Sequence, residues 1–160
     1  MTLDSNSDRL GDLHAKVSSF LAELGCDNEA MGDVYRYYQG STVVFMRPTM
    51  WLDKYTILQF TAVVLTDVPR EGNEYMFEYF SNMNNELHFG RLSWESQEIE
   101  DVGNVILTHS LLGDYLDREE LQTSLLVLAY TADEIDEELQ ARFGGKRWLD
   151  GIRDGQDDKR

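Results

Sequence analysis

The fold is decided by one stretch of sequence, which reads Tyr55-Thr56-Ile57-Leu58-Gln59-Phe60-Thr61-Ala62-Val63-Val64-Leu65-Thr66. The stretch is rich in β-branched and aromatic residues, which favour a β-strand over a helix. Alternate residues from Leu58 to Val64 are all apolar, whereas the residues between them include the polar Gln59 and Thr61. The stretch therefore predicts a long strand with one fully apolar face and one mixed face.

Shorter strand-like segments flank this stretch on both sides. Upstream, residues 34–38 and 42–46 predict a β-hairpin around a Gly-containing turn. Pro48 is expected to end the second hairpin strand or to lie at a bulge near its edge. Downstream, residues 88–94 and 102–112 predict two more strands, and the second of these also has an apolar face and a mixed face.

Three amphipathic helices complete the set of predicted elements. The last helix has the clearest end signals, because Asp117 and Glu120 resemble a capping box and Gly144 follows the final apolar residue. In each helix the apolar residues recur at helical spacing, which predicts one buried stripe. The three helices cover residues 10–24, 73–87 and 117–143.

The element order is α-β-β-β-α-β-β-α, which predicts an α+β domain with one mostly antiparallel sheet packed by helices. A chain of 160 residues suits a single hydrophobic core. We expect a flexible N-terminus over residues 1–7, a single domain over residues 8–148 and a mobile acidic tail over residues 149–160.

The chain is strongly acidic. It has 14 Lys and Arg against 30 Asp and Glu, a formal net charge of −16 at pH 7 and 42% hydrophobic residues. The hydrophobic content is that of a folded domain rather than of a disordered acidic tail. The charge argues against binding of nucleic acid or of an anionic membrane, because both favour clustered Lys and Arg. Basic or neutral protein partners are compatible with it.

The sequence favours a reducing compartment. Cys26 is the single cysteine, so no disulfide can form within the chain, and a lone thiol is typical of a reducing interior. The first residues lack the basic start and apolar stretch of a signal peptide, and no segment reaches about 18 apolar residues. We expect a cytoplasmic protein without a membrane partner.

No residue pattern predicts catalysis, a metal or a cofactor. His14, His88 and His109 are dispersed over different elements, and Cys26 has acidic neighbours, which disfavour the reactive thiolate. No Gly-rich phosphate loop occurs, and the acidic residues after Trp148 lack the spacing of a calcium loop. We therefore expect no catalytic residues, no metal ligands and no bound cofactor.

The mixed strand faces permit two interpretations. Either helices cover both faces of the sheet, so that no partner is needed, or they cover one face and the other docks a client peptide or a second copy of the chain. Aromatic hairpin edges also suit β-augmentation, in which a peptide adds a strand to a sheet. On the second interpretation the predicted partner-binding residues are Tyr35, Tyr37, Phe45, Met46, Trp51 and Ile57.

A run of asparagines marks the corner between the second helix and the strand that follows it. Asparagine is a poor helix former and tends to hydrogen-bond backbone groups at turns. Asn82 and Asn85 lie three residues apart on one helix face, so we expect them to fix this corner. Gly90 is expected to allow a bulge or a close approach of the backbone.

At this corner the sequence resembles the YbjN family, within the broader group of type III secretion chaperone-like proteins, and is similar to actinobacterial members described as peptide-binding chaperones. The resemblance covers roughly residues 8–148. It implies the secretion-chaperone-like α+β fold and a non-enzymatic role in binding peptides or unfolded segments of other proteins, often as a dimer. The residues that carry it are the pair Asn82 and Asn85 leading into His88-Phe89-Gly90-Arg91-Leu92, the segment Leu107-Thr108-His109-Ser110-Leu111-Leu112-Gly113-Asp114, and the helix end Ala132-Asp133 with Glu138-Leu139-Gln140-Ala141-Arg142-Phe143-Gly144-Gly145.

Three functions are compatible with these observations. The function we predict is a small chaperone or adaptor that holds a peptide against the aromatic hairpin and the mixed sheet face, with the acidity favouring basic clients. The second is a structural, self-associating regulatory module in which a second copy covers that face. The third is a hydrolase-type enzyme that uses His109 or Cys26, which would need a carboxylate within hydrogen-bond reach of either side chain.

Overall fold

The computed structural model describes residues 3–25, 32–97 and 101–157, and a five-stranded sheet lies at its centre. The strands are β1 (Tyr35–Gln39), β2 (Thr42–Trp51), β3 (Tyr55–Pro69), β4 (Arg91–Ser96) and β5 (Val102–Leu112). They lie in the order β1-β2-β3-β5-β4, and every neighbouring pair is antiparallel. The predicted α+β class is confirmed, and the stretch that predicted the long strand forms most of β3, in the middle of the sheet.

The described residues also form α-helices before, between and after the strands. Asp117 accepts a hydrogen bond from the Glu120 N–H at 2.8 Å, and Gly144 follows the same helix with a φ of 76°. Both end signals of this helix are therefore confirmed. The helices are α1 (Leu3–Glu23), α2 (Met76–Glu86), α3 (Arg118–Phe143) and α4 (Trp148–Asp157), and a 3-10 turn spans Gly113–Tyr115.

The hydrophobic core lies between the apolar face of the sheet and the helices α1 and α3. Burying an aliphatic or aromatic side chain of this kind stabilises the fold by about 1.5–3 kcal/mol, so this layer holds the domain together. The buried residues include Leu58, Phe60, Ala62 and Val64 of β3, Leu13, Val17 and Leu21 of α1, and Leu121, Leu125, Leu128 and Leu139 of α3.

Strand β2 continues through Pro48 to Trp51, and Pro48 pairs with Leu58 in regular register. The prediction that Pro48 ends the strand or lies at a bulge is therefore wrong. The reason is that β1 pairs with β2 only as far as Met46. Among the described residues, Pro48 thus has a paired strand on one side only, and a missing N–H on the other side breaks no ladder bond.

Both ends of the chain contain helices where the sequence predicted flexible segments. Helix α1 begins at Leu3, and α4 occupies most of the expected tail. Gly151 and Gly155 lower the helix propensity of the tail, so the sequence pattern underestimates it. Tertiary packing compensates, because the ring of Trp148 meets Phe45 of the sheet edge-on at 5.9 Å between centroids. The division of the chain at residues 8 and 148 stays a prediction.

Candidate partner-binding face

The mixed face of the sheet lies opposite α1 and α3, and we call it the second face. Side chains alternate along a strand, so this face carries the residues between the buried ones. The strand register aligns them in rows; for example, Arg47 lies beside Gln59, which lies beside Ser110. On the central strands its members are Val43, Phe45, Arg47, Thr49 and Trp51 of β2, Tyr55, Ile57, Gln59, Thr61 and Val63 of β3, and Ile106, Thr108, Ser110 and Leu112 of β5.

One end of the second face is an apolar row, formed by Trp51, Tyr55, Ile57 and Leu112. Trp51 pairs with Tyr55, with their ring centroids 5.9 Å apart, and Ile57 pairs with Leu112. Trp51 is 50% exposed and Leu112 is 46% exposed, whereas Ile57 is half-buried. The Lys54 ammonium lies 4.8 Å from the centroid of the Tyr55 ring and gives the row a charged rim. Contiguous apolar surface with a polar rim is typical of sites that bind protein.

The other end of the second face is covered by α4. Trp148 packs on Phe45, and Val43 and Val63 are buried. The Leu149 N–H donates to the Ser41 carbonyl at 3.3 Å, which fixes the start of α4 on the hairpin turn. Helices therefore cover one face of the sheet and part of the other, so each of the two interpretations of the mixed faces describes only part of the structure.

Between its two ends the second face is polar. A cleft of about 290 Å³ lies here, and Arg47 and Gln59 are exposed beside it. Guanidinium, amide and hydroxyl groups supply both donors and acceptors, which suits the backbone of a segment that crosses the sheet. The cleft is lined by Val34, Phe45, Arg47, Gln59, Thr61 and Glu95.

The six predicted partner-binding residues fall into two groups. Tyr35 and Met46 are 7% and 0% exposed and belong to the core, and Tyr37 is half-buried against it. These three alternate along the hairpin onto the face that α1 and α3 cover, so the hairpin does not present one aromatic surface. The other three, which lie on the second face, are Phe45, Trp51 and Ile57.

Tyr55 and Leu112 complete the apolar row and are absent from the predicted set. Strand alternation assigns Tyr55 and Ile57 to the mixed face, which is a signal that the sequence does contain. Leu112 is different, because it reaches Ile57 only through the register between β3 and β5. Neither strand specifies that register on its own, so the row is visible only in the folded sheet.

The corner between α2 and β4 is held by Asn84, whereas the prediction named Asn82 and Asn85. The Asn84 amide donates to the Leu92 carbonyl at 3.0 Å and accepts from the Leu92 N–H at 2.7 Å. Asn82 and Asn85 are exposed. The strand begins at Arg91 rather than at residue 88, because Gly90 has a φ of 80° and interrupts the extended backbone.

Replacing Asn84 with alanine is expected to lower the free energy of unfolding by about 1–3 kcal/mol, since it leaves two strand backbone groups without their partner. Asn82→Ala is the matched control, with an expected change within about 0.5 kcal/mol because its side chain is exposed. Urea denaturation of the full chain measures both. Equal stability of the two variants would contradict the role of Asn84.

His109 lies on the helix-covered side of β5, next to aromatic rings. Its ring centroid is 6.2 Å from that of Phe60 and 5.5 Å from that of Phe89. Burial, together with the nearby Arg91 guanidinium, lowers the pKa of the His109 imidazole. Nε2 is buried without a hydrogen-bond partner in the described part of the chain. The imidazole thus packs among aromatic rings, and the charge of the nearby Glu120 carboxylate only partly offsets the lowering of its pKa.

Some expected features concern residues that the structure covers only in part. Cys26 lies outside the described residues. Within residues 3–25, 32–97 and 101–157, no three His, Cys, Asp or Glu side chains are grouped so that they could hold a metal ion. No helix of these described ranges is both long and apolar enough to cross a membrane.

A carboxylate pair on α3 fixes the hairpin turn that α4 also contacts. The Ser41 N–H and hydroxyl donate to Asp133 Oδ1 at 2.8 and 3.1 Å, and the same hydroxyl contacts Asp136 Oδ2. Asp136 is only 1% exposed. Burial raises the pKa of the Asp136 carboxyl, against the smaller opposing effects of Ser41 and Arg147. One hydroxyl hydrogen cannot serve two carboxylates, so a proton on Asp136 completes the network.

The solved structures that share this fold include YbjN and a chain of the ExsC-ExsE complex. The crystal structure of YbjN from E. coli is 12% identical, with a TM-score of 0.61 over 79% of this chain and 90% of that chain. The crystal structure of the ExsC-ExsE complex contains a chain that is 22% identical, with a TM-score of 0.53 over 86% of this chain and 96% of that chain. At these identities the likeness shows the fold alone. No curated protein matches the sequence.

A family model gives the assignment that the structural likeness leaves open. The model described as "T3SS (YopN, CesT) and YbjN peptide-binding chaperone 1" matches residues 11–151. That range contains the whole sheet, the apolar row, and helices α2 and α3. The match also agrees with the resemblance read from the sequence. The chain therefore belongs to the T3SS and YbjN peptide-binding chaperone family.

Proposed function

We propose that this protein is a non-enzymatic chaperone or adaptor that binds a peptide or an unfolded segment of another protein on the second face. The observation that carries the proposal is the open apolar row, in which Trp51 and Leu112 are about half exposed. Removing apolar surface from water is worth about 25 cal/mol per Å². A segment with apolar side chains that binds here would bury the apolar row and so gain this free energy. In the free protein the row stays exposed and the gain is not made.

The second face also suits a partner that contributes polar backbone groups. The polar middle, with Arg47, Gln59 and Thr61, lies next to the apolar row. An extended segment that crosses from one to the other would bury its apolar side chains and still hydrogen-bond its backbone. The net charge of −16 favours basic or neutral clients and keeps the complex soluble. Such a chaperone would act in the cytoplasm.

The comparisons support a binding role in general terms. The family is described as peptide-binding, and one structure with this fold is that of a complex between two named proteins, ExsC and ExsE. The non-enzymatic assignment depends on this family membership. A second copy of the chain is the alternative occupant of the row, as in the self-associating module considered from the sequence.

Photo-crosslinking in cells that contain the full chain tests the proposal. The photoreactive residue p-benzoylphenylalanine replaces Trp51 in the row or, as the matched control, Tyr130 on α3, which is 57% exposed. We expect protein adducts from position 51 that position 130 does not give. Adducts that match only two copies of the chain would instead favour the self-associating module, and identical adducts from both positions would contradict a site in the row.

The variant Leu112→Glu provides a second measurement on the same site. It places a carboxylate among the apolar side chains of the row, where burial by a partner would leave the charge without water. We expect the yield of adducts from position 51 to fall about tenfold, which corresponds to about 1.4 kcal/mol. Since Leu112 is 46% exposed, the free protein is expected to keep its stability.

A further inference from the structure

We infer that α4 is a built-in competitor of the client: it covers one end of the second face in the free protein, and a bound client takes its place there. The inference rests on the proposed function and adds the regulation of access to the same site. The client that fits carries a large aromatic or aliphatic side chain, which replaces the Trp148 ring against Phe45.

The surface beneath α4 is apolar. The helix contacts β2 and β3, and its first residue, Trp148, places its ring edge-on against Phe45, with 5.9 Å between the centroids. Val43 and Val63 pair with each other at the same end of the face and are 0% and 7% exposed. Removing α4 would uncover aromatic and aliphatic surface of the same kind as the apolar row, and such surface favours protein partners.

The covered patch continues into the proposed client site. Phe45 contacts the Trp148 ring and also lines the polar cleft of about 290 Å³, together with Arg47. Without α4 the second face would form one surface along β2 from Val43 to Trp51, about 26 Å long at a rise of about 3.3 Å per residue. With α4 in place, that surface ends at Phe45.

Helix α4 is only weakly stable by its own sequence. It has ten residues, Trp148–Asp157, whereas isolated helices shorter than about 12–15 residues are marginal in water. Gly151 and Gly155 lower its helix propensity further. The docked state also leaves the buried Trp148 Nε1 without a hydrogen-bond partner among the described residues, and such an unmet donor opposes burial. These features favour a helix that leaves the sheet at a small cost in free energy.

The segment before α4 is fixed more firmly than α4 itself. The Thr66 N–H donates to the Lys146 carbonyl at 2.7 Å, and the Lys146 N–H donates to the Thr66 carbonyl at 2.8 Å. Gly145 approaches the same strand so closely that an added Cβ would lie 2.6 Å from the Thr66 carbonyl oxygen. Within α4, the bond from the Leu149 N–H to the Ser41 carbonyl is longer, at 3.3 Å. Release of α4 therefore leaves α3 and the core in place, because the chain stays attached at Lys146.

Docking of α4 and binding of a client exclude each other on this patch, because both bury Phe45. A client that uses the patch binds only the molecules in which α4 is released, so its apparent Kd is the intrinsic Kd divided by the released fraction. In the free protein α4 keeps the patch out of water, which limits non-specific association of apolar surface. A segment without a large apolar side chain gains too little from the patch to displace Trp148, so α4 selects for clients that carry one.

Fluorine NMR of the full chain labelled with 5-fluorotryptophan tests the inference, with 12-residue peptides selected on the full-length chain from a random phage-displayed library as the probe. Trp148 reports on the docking of α4, and Trp51 reports on the apolar row. Trp94 is the internal control, because its indole N–H donates to the Val68 carbonyl at 3.1 Å and its ring packs against α2. We expect bound peptides to shift the Trp51 signal, to move the Trp148 signal toward its position in the urea-unfolded chain, and to leave the Trp94 signal in place. Alanine in place of the large apolar residue of the peptide should abolish the shift of Trp148.

Trp148→Ala tests the competition from the side of the protein, with Trp148→Phe as its matched control. Alanine removes the ring that packs on Phe45, whereas phenylalanine keeps a ring there and removes only the unmet indole N–H. We expect fluorescence anisotropy to give about tenfold tighter peptide binding for Trp148→Ala and a change within about twofold for Trp148→Phe. The reason is that a native chain with about 10% of its molecules released binds about tenfold more weakly than a chain that is fully released. Should Trp148→Ala not fold, the fluorine spectra of the native chain test the same release.

The outcomes separate the inference from the proposed function. If peptides bind and shift the Trp51 signal while the Trp148 signal stays at its position in the free protein, the inference is overturned and the proposed function stands. Equal affinity of the native chain and Trp148→Ala would overturn the inference in the same way. A shift of the Trp148 signal alone would support the release of α4 and contradict the row as the client site. If no peptide is selected, or if bound peptides shift neither signal, the inference and the proposed function both fail.

Discussion

Replacing Gly90 with alanine is expected to lower the free energy of unfolding by about 2–6 kcal/mol. The φ of 80° disfavours any residue with a Cβ, at about 1–3 kcal/mol. The new methyl group would also lie within 3 Å of the side chains of Leu107 and Leu128, which are both fully buried. Overpacking of a close-packed core adds about 1–3 kcal/mol.

Two other glycines separate the contributions of backbone and packing. Gly72 has the same φ of 80°, but an added Cβ there meets open space, so Gly72→Ala is expected to cost about 1–2 kcal/mol. Gly11 lies in α1 with open space around it, so Gly11→Ala is expected to stabilise by about 0.5–1 kcal/mol. Urea denaturation measures the free energy of unfolding of all three variants. Equal losses for Gly90→Ala and Gly72→Ala would show that the core tolerates the methyl group.

Asp136→Asn is expected to reduce the loss of stability as the pH rises. Near neutrality the variant should have a higher free energy of unfolding than the native chain. The asparagine amide mimics the protonated carboxyl, which can donate to the Ser41 hydroxyl while Ser41 donates to Asp133. The groups that face Asp136 are Asp133, which disfavours its ionisation, and Arg147, which favours it but is also paired with Glu137 and Asp150. Burial decides the balance and raises the pKa of the Asp136 carboxyl.

The direction of the pH effect follows from this raised pKa. The folded state favours the neutral Asp136 carboxyl. The contribution of this carboxyl to the free energy of unfolding is therefore complete below the pKa that Asp136 has in the unfolded chain. It is lost as the pH rises through the pKa of the folded protein. Between these two pKa values, the free energy of unfolding of the native chain should fall by about 1.4 kcal/mol per pH unit relative to that of Asp136→Asn.

Urea denaturation at several pH values from about 4 to 8 measures this difference. Glu134→Gln, at an exposed position of the same helix, is the matched control and should follow the native chain. A difference between Asp136→Asn and the native protein that stays constant across the range would contradict the assignment.

The sheet and the main helices are predictable from sequence because their signals are local. The two-residue period in β3 identifies the strand and its buried face, and Asp117 with Gly144 marks the ends of α3. Helix α4 is missed because its stability depends on a contact between Trp148 and Phe45, which are distant in sequence. Local propensity contains no information about such a partner.

The candidate site is less predictable than the fold, since it depends on pairing between strands. The period of two assigns Ile57 to the mixed face, but only the register of β3 with β5 adds Leu112 beside it. Asn84 shows the same limit on a shorter scale. All three asparagines of α2 have the same chemical capacity, and the path of the loop through Gly90 determines which of them reaches Leu92.

The side-chain amide of Asn84 also limits the addition of further strands to the outer edge of β4. An edge strand with free peptide groups is a template on which a further chain can grow, and repeated addition leads to fibrils. At Leu92 the template is already occupied by a side chain of the same molecule, so growth along β4 is terminated there. A protein whose proposed clients are unfolded segments would bind chains that can themselves aggregate. Asn84→Ala should therefore shorten the lag time of co-aggregation with such a client, an effect that a measurement of stability alone does not reveal.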